Sequence, residues 1–170
     1  MNGKIRKATF NDCEVISQIH AISWKSAYKG IIPQRYLDEL KNDFWVGAFQ
    51  NWIGNNILTV QLLYENETLV GCIAYGKARD EEFLDWGEIV SIYVIPDYCK
   101  KGYGQKLLET ALIDMKNKGY HNCYLWVLKE NFNAKRFYEN NGFCWNSDVF
   151  NFEINNQPLT DERYILALKN

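Results

Sequence analysis

Two glycines carry the clearest chemical signal in the sequence. Gly102 and Gly104 follow an apolar run and open a helical one in EIVSIYVIPDYCKKGYGQKLL, Glu88 to Leu108. Glycine lets backbone N–H groups turn toward a ligand without interference from a Cβ, and a helix N-terminus carries partial positive charge. Together they make a cradle for phosphate. Lys100, Lys101 and Lys106 add charge near it, and the backbone of Tyr103 and Gln105 belongs to the same turn. A tight strand-to-helix turn with solubilising lysines accounts for the same residues. Two phosphate ligands are excluded by spacing. No stretch matches the Walker pattern GxxxxGK followed by Ser or Thr, and the third glycine of a dinucleotide fingerprint is replaced by Leu107.

Other reactive residue types are sparse. The five cysteines (Cys13, Cys72, Cys99, Cys123 and Cys144) form no CxxC pair, and His20 and His121 lie far apart. Neither a disulfide framework nor a metal site is expected from such spacing. Cys99 has no histidine near it in sequence and reads as a passive loop residue rather than a nucleophile.

The elements that must hold these residues follow from periodicity. The chain is 170 residues long, with 47% apolar and 24% charged residues, which fits one soluble domain of residues 1–170. A net charge of −2 provides no field for gathering nucleic acid or an anionic membrane. The N-terminus lacks a signal-peptide run, and no segment reaches the ~20 apolar residues of a membrane span. A reduced, cytoplasmic location is expected on those grounds. Short strands are predicted at Lys4–Ala8, Ile57–Tyr64 and Leu69–Gly76, with a turn at Glu65–Glu67. Helices are predicted from Asn11 or Asp12 to Tyr28, and from Pro33 to about Gly54. The run Glu88–Ile95 reads as a central strand buried on both faces. A helix follows from Gly102 to Lys118, then a strand at Cys123–Leu128 and a short helix capped by Asn131. Phe143–Ile154 and Arg163–Leu168 are expected to close the chain as an antiparallel hairpin. This order predicts an α/β (α+β) fold with a mixed, mostly antiparallel central sheet and helices on both faces.

The glycine turn and the later segment Val127–Ala134, with Phe137-Tyr138 and Asn141-Gly142-Phe143, resemble the two cofactor-site motifs of the GNAT superfamily of N-acetyltransferases. In that family the loop reads Gln or Arg, two residues, Gly, any residue, then Gly or Ala. Both glycines match here, and Cys99 replaces the leading Gln or Arg. Ser23-Trp24, Ala27–Pro33 and Tyr36-Leu37 are also similar to a bacterial single-domain form. The resemblance implies transfer of acetyl from acetyl-CoA to a primary amine by direct attack, without a metal. It implies that backbone amides of Ile92, Tyr93 and Val94, freed by a bulge, hold the pantetheine and polarise the acetyl carbonyl. Tyr138 takes the place of the acid that protonates the CoA sulfur, against the alternative of a core aromatic beside Phe137. Glu88 is a candidate base, or a strand-end carboxylate facing solvent; burial would raise its basicity. Asn131 caps a helix and by resemblance also contacts the cofactor. Lys129, Lys135 and Arg136 are candidates for the 3′-phosphate or for solvation.

The acceptor is a small-molecule or peptide amine. Trp24 and Tyr28 fall where the family builds acceptor walls, although helix packing explains them equally. Asp80–Glu88 holds five acids in DEEFLDWGE, either a solvated loop or an acidic rim for a cationic amine. A homodimer surface is suggested by Phe143, Trp145, Phe150 and Phe152 in the closing hairpin. The competing function is a non-catalytic acyl-CoA-binding sensor module, toward which only Cys99 points.

Overall fold

The computed structural model describes residues 3–168. Its strands are β1 (Lys4–Lys7), β2 (Leu58–Glu65), β3 (Thr68–Lys77), β4 (Gly87–Val94), β5 (Asn122–Leu128), β6 (Cys144–Ile154) and β7 (Gln157–Ala167). Its helices are α1 (Cys13–Ala27), α2 (Gln34–Glu39), α3 (Val46–Gly54), α4 (Tyr103–Asn117) and α5 (Phe132–Asn140). The strands form one sheet in the order β1-β2-β3-β4-β5-β7-β6, and only the β4–β5 pair is parallel. The mixed, mostly antiparallel sheet expected from the element order is therefore present. Asn66 and Glu67 take left-handed φ values of 46° and 67°, as a tight hairpin turn between β2 and β3 demands.

Helices cover both faces. Leu107, Leu108, Ala111 and Met115 of α4 and Tyr138 of α5 pack with Ile73, Ile89 and Leu125 on one side. Ile16 and Ile19 of α1 and Phe49 of α3 pack with Val60, Leu62 and Ala74 on the other. The helix predicted from Pro33 to Gly54 is instead two helices. Leu40 is extended and buried, and the chain turns before α3 begins. A side chain from α1 stabilises the break: the Ser17 hydroxyl donates to the Asn42 carbonyl at 2.7 Å and accepts from the Trp45 amide at 3.0 Å. Periodicity within 34–54 carries no trace of that distant partner. Ser17→Ala leaves both backbone groups without it and should cost about 2 kcal/mol in urea-unfolding measurements.

Two further expectations change. β7 begins at Gln157, six residues before Arg163, and lies between β5 and β6. Phe143 is a core residue, whereas Trp145 and Phe150 on the edge strand are exposed. Phe143 therefore has no place on a dimer surface.

Candidate active site

β4 pairs with β3 along its length, but with β5 only through Gly87–Ile89 opposite Cys123–Leu125. Beyond Ile89 the two parallel strands separate. Only Gly87, Glu88 and Ile89 are fully buried, while Val90 to Val94 are half-buried. The strand expected to be covered on both faces is thus covered only at its start. The register with β3 also shifts, pairing Ala74 with Ser91 and Tyr75 with Ile89, so Val90 is an extra residue. Past this bulge, the Ile95 amide donates to the Val70 carbonyl of β3 at 2.9 Å. Because backbone groups alternate sides along a strand, those of Ile92 and Val94 turn into the opening beside β5, and those of Tyr93 turn toward β3.

The bulge is held from behind. His20 Nδ1–H donates to the Ile16 carbonyl at 2.9 Å, leaving Nε2 to accept from the Ser91 hydroxyl at 2.9 Å. Burial pushes the imidazole down to about 4, so it stays neutral and ties α1 to β4.

At one end of the opening lies the glycine turn. Gly102 takes φ +81° immediately before α4, and Lys100 is also left-handed at φ 60°. Successive amides in such a loop, followed by a fifteen-residue helix, form an anion-binding concavity. Tyr103 is itself core, so its contribution to that concavity is confined to its backbone. The Gln105 side chain is bonded to Glu109 at 2.8 Å. Lys101 lies over the Tyr98 ring at 4.8 Å, whereas Lys106 reaches the Gly3 carbonyl and not the turn. The Cys99 thiol contacts the Val94 carbonyl at 3.4 Å, and burial raises its pKa, which disfavours a thiolate.

The Asn131 side chain accepts from the Ala134 amide at 3.2 Å and caps α5. Lys135 is paired with buried Glu162 at 2.6 Å, so it is not a free phosphate ligand; Lys129 and Arg136 are exposed. Tyr138, one turn into α5, is 8% exposed. Its phenol is raised by burial and by the nearby Tyr28 hydroxyl. Tyr93 is raised by burial, with further contributions from Tyr28 and Tyr138, and the Tyr28 and Tyr93 hydroxyls are 3.1 Å apart. The hydroxyls of Tyr28, just past α1, and Tyr93 of β4 are thus in contact where the strands part, and the buried Tyr138 of α5 lies near enough to bear electrostatically on both.

A cavity of about 530 Å³ adjoins the same place. Trp24 of α1, Tyr28 just past its end, Tyr93 of β4, Trp126 of β5 and Phe152 of β6 are among its walls. Three carboxylates also line it: Asp80, Glu88 and Asp161. Glu88 is buried, but in a fork. Arg79 Nη2 donates to Oε1 at 2.6 Å, and its Nε and backbone amide donate to Oε2 at 2.9 and 3.1 Å. Three donors from Arg79 thus occupy the two Glu88 oxygens. The burial of Glu88 differs from the solvent-facing alternative. Asp80 is paired with Arg163, whose guanidinium also lies 4.4 Å over the Trp126 ring. Most of the acidic segment is exposed loop, with Glu81, Glu82 and Asp85 turned to solvent.

Asp161 was not singled out by the sequence, because the strand that carries it was expected to begin two residues later. Polar residues alternating at 161 and 163 were the available signal. Burial and the charge of Glu130 push its carboxyl up to about 6. The folded chain then holds a proton that the unfolded one, at 3.8, releases between about pH 4 and 6. Stability falls as pH rises through that window. Asp161→Asn should be more stable than the wild type above pH 6 by about 1–2 kcal/mol, allowing for solvent screening. Thermal unfolding at pH 4 and pH 7.5 checks this, since the difference should vanish at the lower pH.

Among the described residues no group of side chains could hold a metal, and no helix is long and apolar enough to cross a membrane. Residues 18–143 match the Acetyltransferase (GNAT) family. Spermidine N(1)-acetyltransferase of Thermoplasma acidophilum is 28% identical over 84% of this chain and 89% of its own. The [Ribosomal protein bS18]-alanine N-acetyltransferase of Haemophilus influenzae is 29% identical over 76% and 80%. The crystal structure of PaiA N-acetyltransferase from Thermoplasma acidophilum in complex with coenzyme A superposes with a TM-score of 0.73 at 25% identity, covering 95% of this chain and 98% of that one. With the parted strands, the glycine turn and these matches in agreement, the chain belongs to the GNAT acetyltransferase family.

Proposed function

We propose that this protein transfers acetyl from acetyl-CoA to a primary amine by direct attack within the opening between β4 and β5. The observation that carries the proposal is the parting of β4 from β5 past Ile89, which leaves an opening between the glycine turn and the aromatic cavity. Acetyl-CoA supplies an acetyl group activated as a thioester. The residues present suit such a ligand: backbone amides at Gly102–Gln105 for its phosphates, with Lys100 and Lys101 close by, and the turned-out amides of Ile92 and Val94 for its amide arm and acetyl oxygen. Asn131 caps α5 and, in this reading, also contacts that arm.

Tyr138 keeps its proton at neutral pH and gives it to the departing sulfur. Trp24 and Tyr28 form acceptor walls, and the amine enters through the cavity they line. Glu88, gripped by Arg79, holds the floor of that cavity in shape and fixes its charge. A neutral amine must form before attack, and two protons leave nitrogen for each one that sulfur gains. The relatives named for spermidine and for a ribosomal alanine place their acceptors in different amine classes, polyamine and peptide. The test is thiol release from acetyl-CoA with a panel of amines, beside calorimetric binding of CoA. Amine-dependent release is expected. Tight binding without it would favour a non-catalytic acyl-CoA sensor.

A further inference from the structure

The three carboxylates around the cavity are not equivalent. Glu88 is paired with Arg79, and Asp80 shares Arg163 with Asp148, so each has an arginine partner. Asp161 has no salt bridge or side-chain hydrogen bond among the described residues. It lies on β7 between Leu128 of β5 and Phe150 of β6, facing a cavity whose other surfaces are largely aromatic. An unpaired carboxylate half-removed from water is costly unless a cation joins it. A cavity with one such charge and ring-lined walls accommodates one ammonium and an apolar body. A second ammonium would have to be desolvated against the rings, since the lining holds no second unpaired carboxylate and Glu130, whose charge bears on Asp161, is exposed and outside it.

We propose that Asp161 anchors the ammonium of the acceptor and takes its first proton, and that the site thereby selects primary amines with a single charge on an apolar or aromatic body over polyamines. This rests on the acetyl-transfer reading above and names its substrate class. The proton balance is complete. The ammonium passes one proton to the Asp161 carboxylate, which releases it to solvent. The nitrogen lone pair then forms the C–N bond as the C–S bond breaks. Tyr138 protonates the sulfur, and the second proton leaving nitrogen restores the phenol. A carboxyl raised to about 6 is ionised at neutral pH and is a better proton acceptor than an ordinary aspartate. The ionisable groups bearing on it are Glu130 and Tyr28, with the arginine-paired Glu88 and Asp80 elsewhere on the cavity wall.

The test compares phenethylamine, spermidine and a peptide with a free alanine N-terminus as acceptors for the wild type and Asp161→Asn. Phenethylamine should show the highest kcat/KM. Asp161→Asn should lower that value roughly 30-fold, the loss of one charged hydrogen bond. The KM for acetyl-CoA should be unaffected. In the wild type kcat/KM for phenethylamine should fall below about pH 6, and this limb should be absent from the variant. Independently of turnover, phenethylamine should perturb tryptophan fluorescence of the wild type through Trp24 and Trp126, and do so much more weakly in the variant. A preference for spermidine or the peptide, an unaltered kcat/KM in Asp161→Asn, or no fluorescence response in the wild type would overturn the inference alone. Transfer to no amine while acetyl-CoA binds would overturn the acetyl-transfer reading, and the inference with it.

Discussion

Tyr138→Phe should lower kcat by roughly 10²- to 10⁴-fold, the usual worth of a positioned general acid, while binding of CoA stays within about twofold. The expectation rests on three properties of the side chain. It is buried against Phe137 and Phe143, at ring-centroid distances of 5.4 and 5.8 Å, so phenylalanine preserves the packing. Its phenol lies near enough to the hydrogen-bonded Tyr28 and Tyr93 hydroxyls to feel them electrostatically. Its pKa is raised, so the proton is present at every pH at which the protein works. A thiolate leaving group gains most from such a donor, because without one its charge would build in a site with little water. Steady-state thiol release at saturating acetyl-CoA, with calorimetry for CoA, checks the two halves of the claim. Unchanged kcat would remove Tyr138 from the mechanism and return it to the core.

The largest expected loss of stability comes from Arg79→Ala. The Glu88 side chain is 3% exposed, while Arg79 is about half exposed at 49%. Removing the guanidinium strands a charge that has been taken out of water, at a cost of roughly 3 kcal/mol. The double variant Arg79→Ala with Glu88→Gln should recover much of that loss, because a neutral amide needs no counter-ion. Urea midpoints for the single and double variants measure the difference. Equal instability in both would show that Arg79 acts through packing over the cavity mouth rather than through charge. Activity should fall in parallel, since Glu88 opens the strand whose later amides line the site.

Much of this architecture was legible in the residues. The β-rich runs at 57–64 and 69–76, the Asn131 cap and the two glycines are local signals, decided within a few positions, and each maps to its element. The parting of β4 and β5 was not legible, because the run EIVSIYVI has the composition of a strand covered on both faces throughout. What exposes its second half is the behaviour of β5, thirty residues on. The same limit hid the break at Leu40, which depends on Ser17, and the fork around Glu88, which depends on Arg79 just before an acidic segment that invited a different interpretation. Asp161 was missed for a related reason. A single aspartate between Thr160 and Glu162 has no periodicity of its own, and it gains meaning only once it lines a cavity with Trp24, Tyr28 and Phe152.

Direct attack is the core of the account, and mixing the protein with acetyl-CoA before any amine is added tests it most directly. Rapid-quench sampling with intact-protein mass spectrometry should find no acetylated protein and no release of CoA at the first turnover. Addition of a reactive amine should then release one CoA for each acetamide formed. A burst of CoA before the amine arrives, with an acetyl group on the protein at Cys99 or any other residue, would contradict direct attack and replace it with a covalent mechanism.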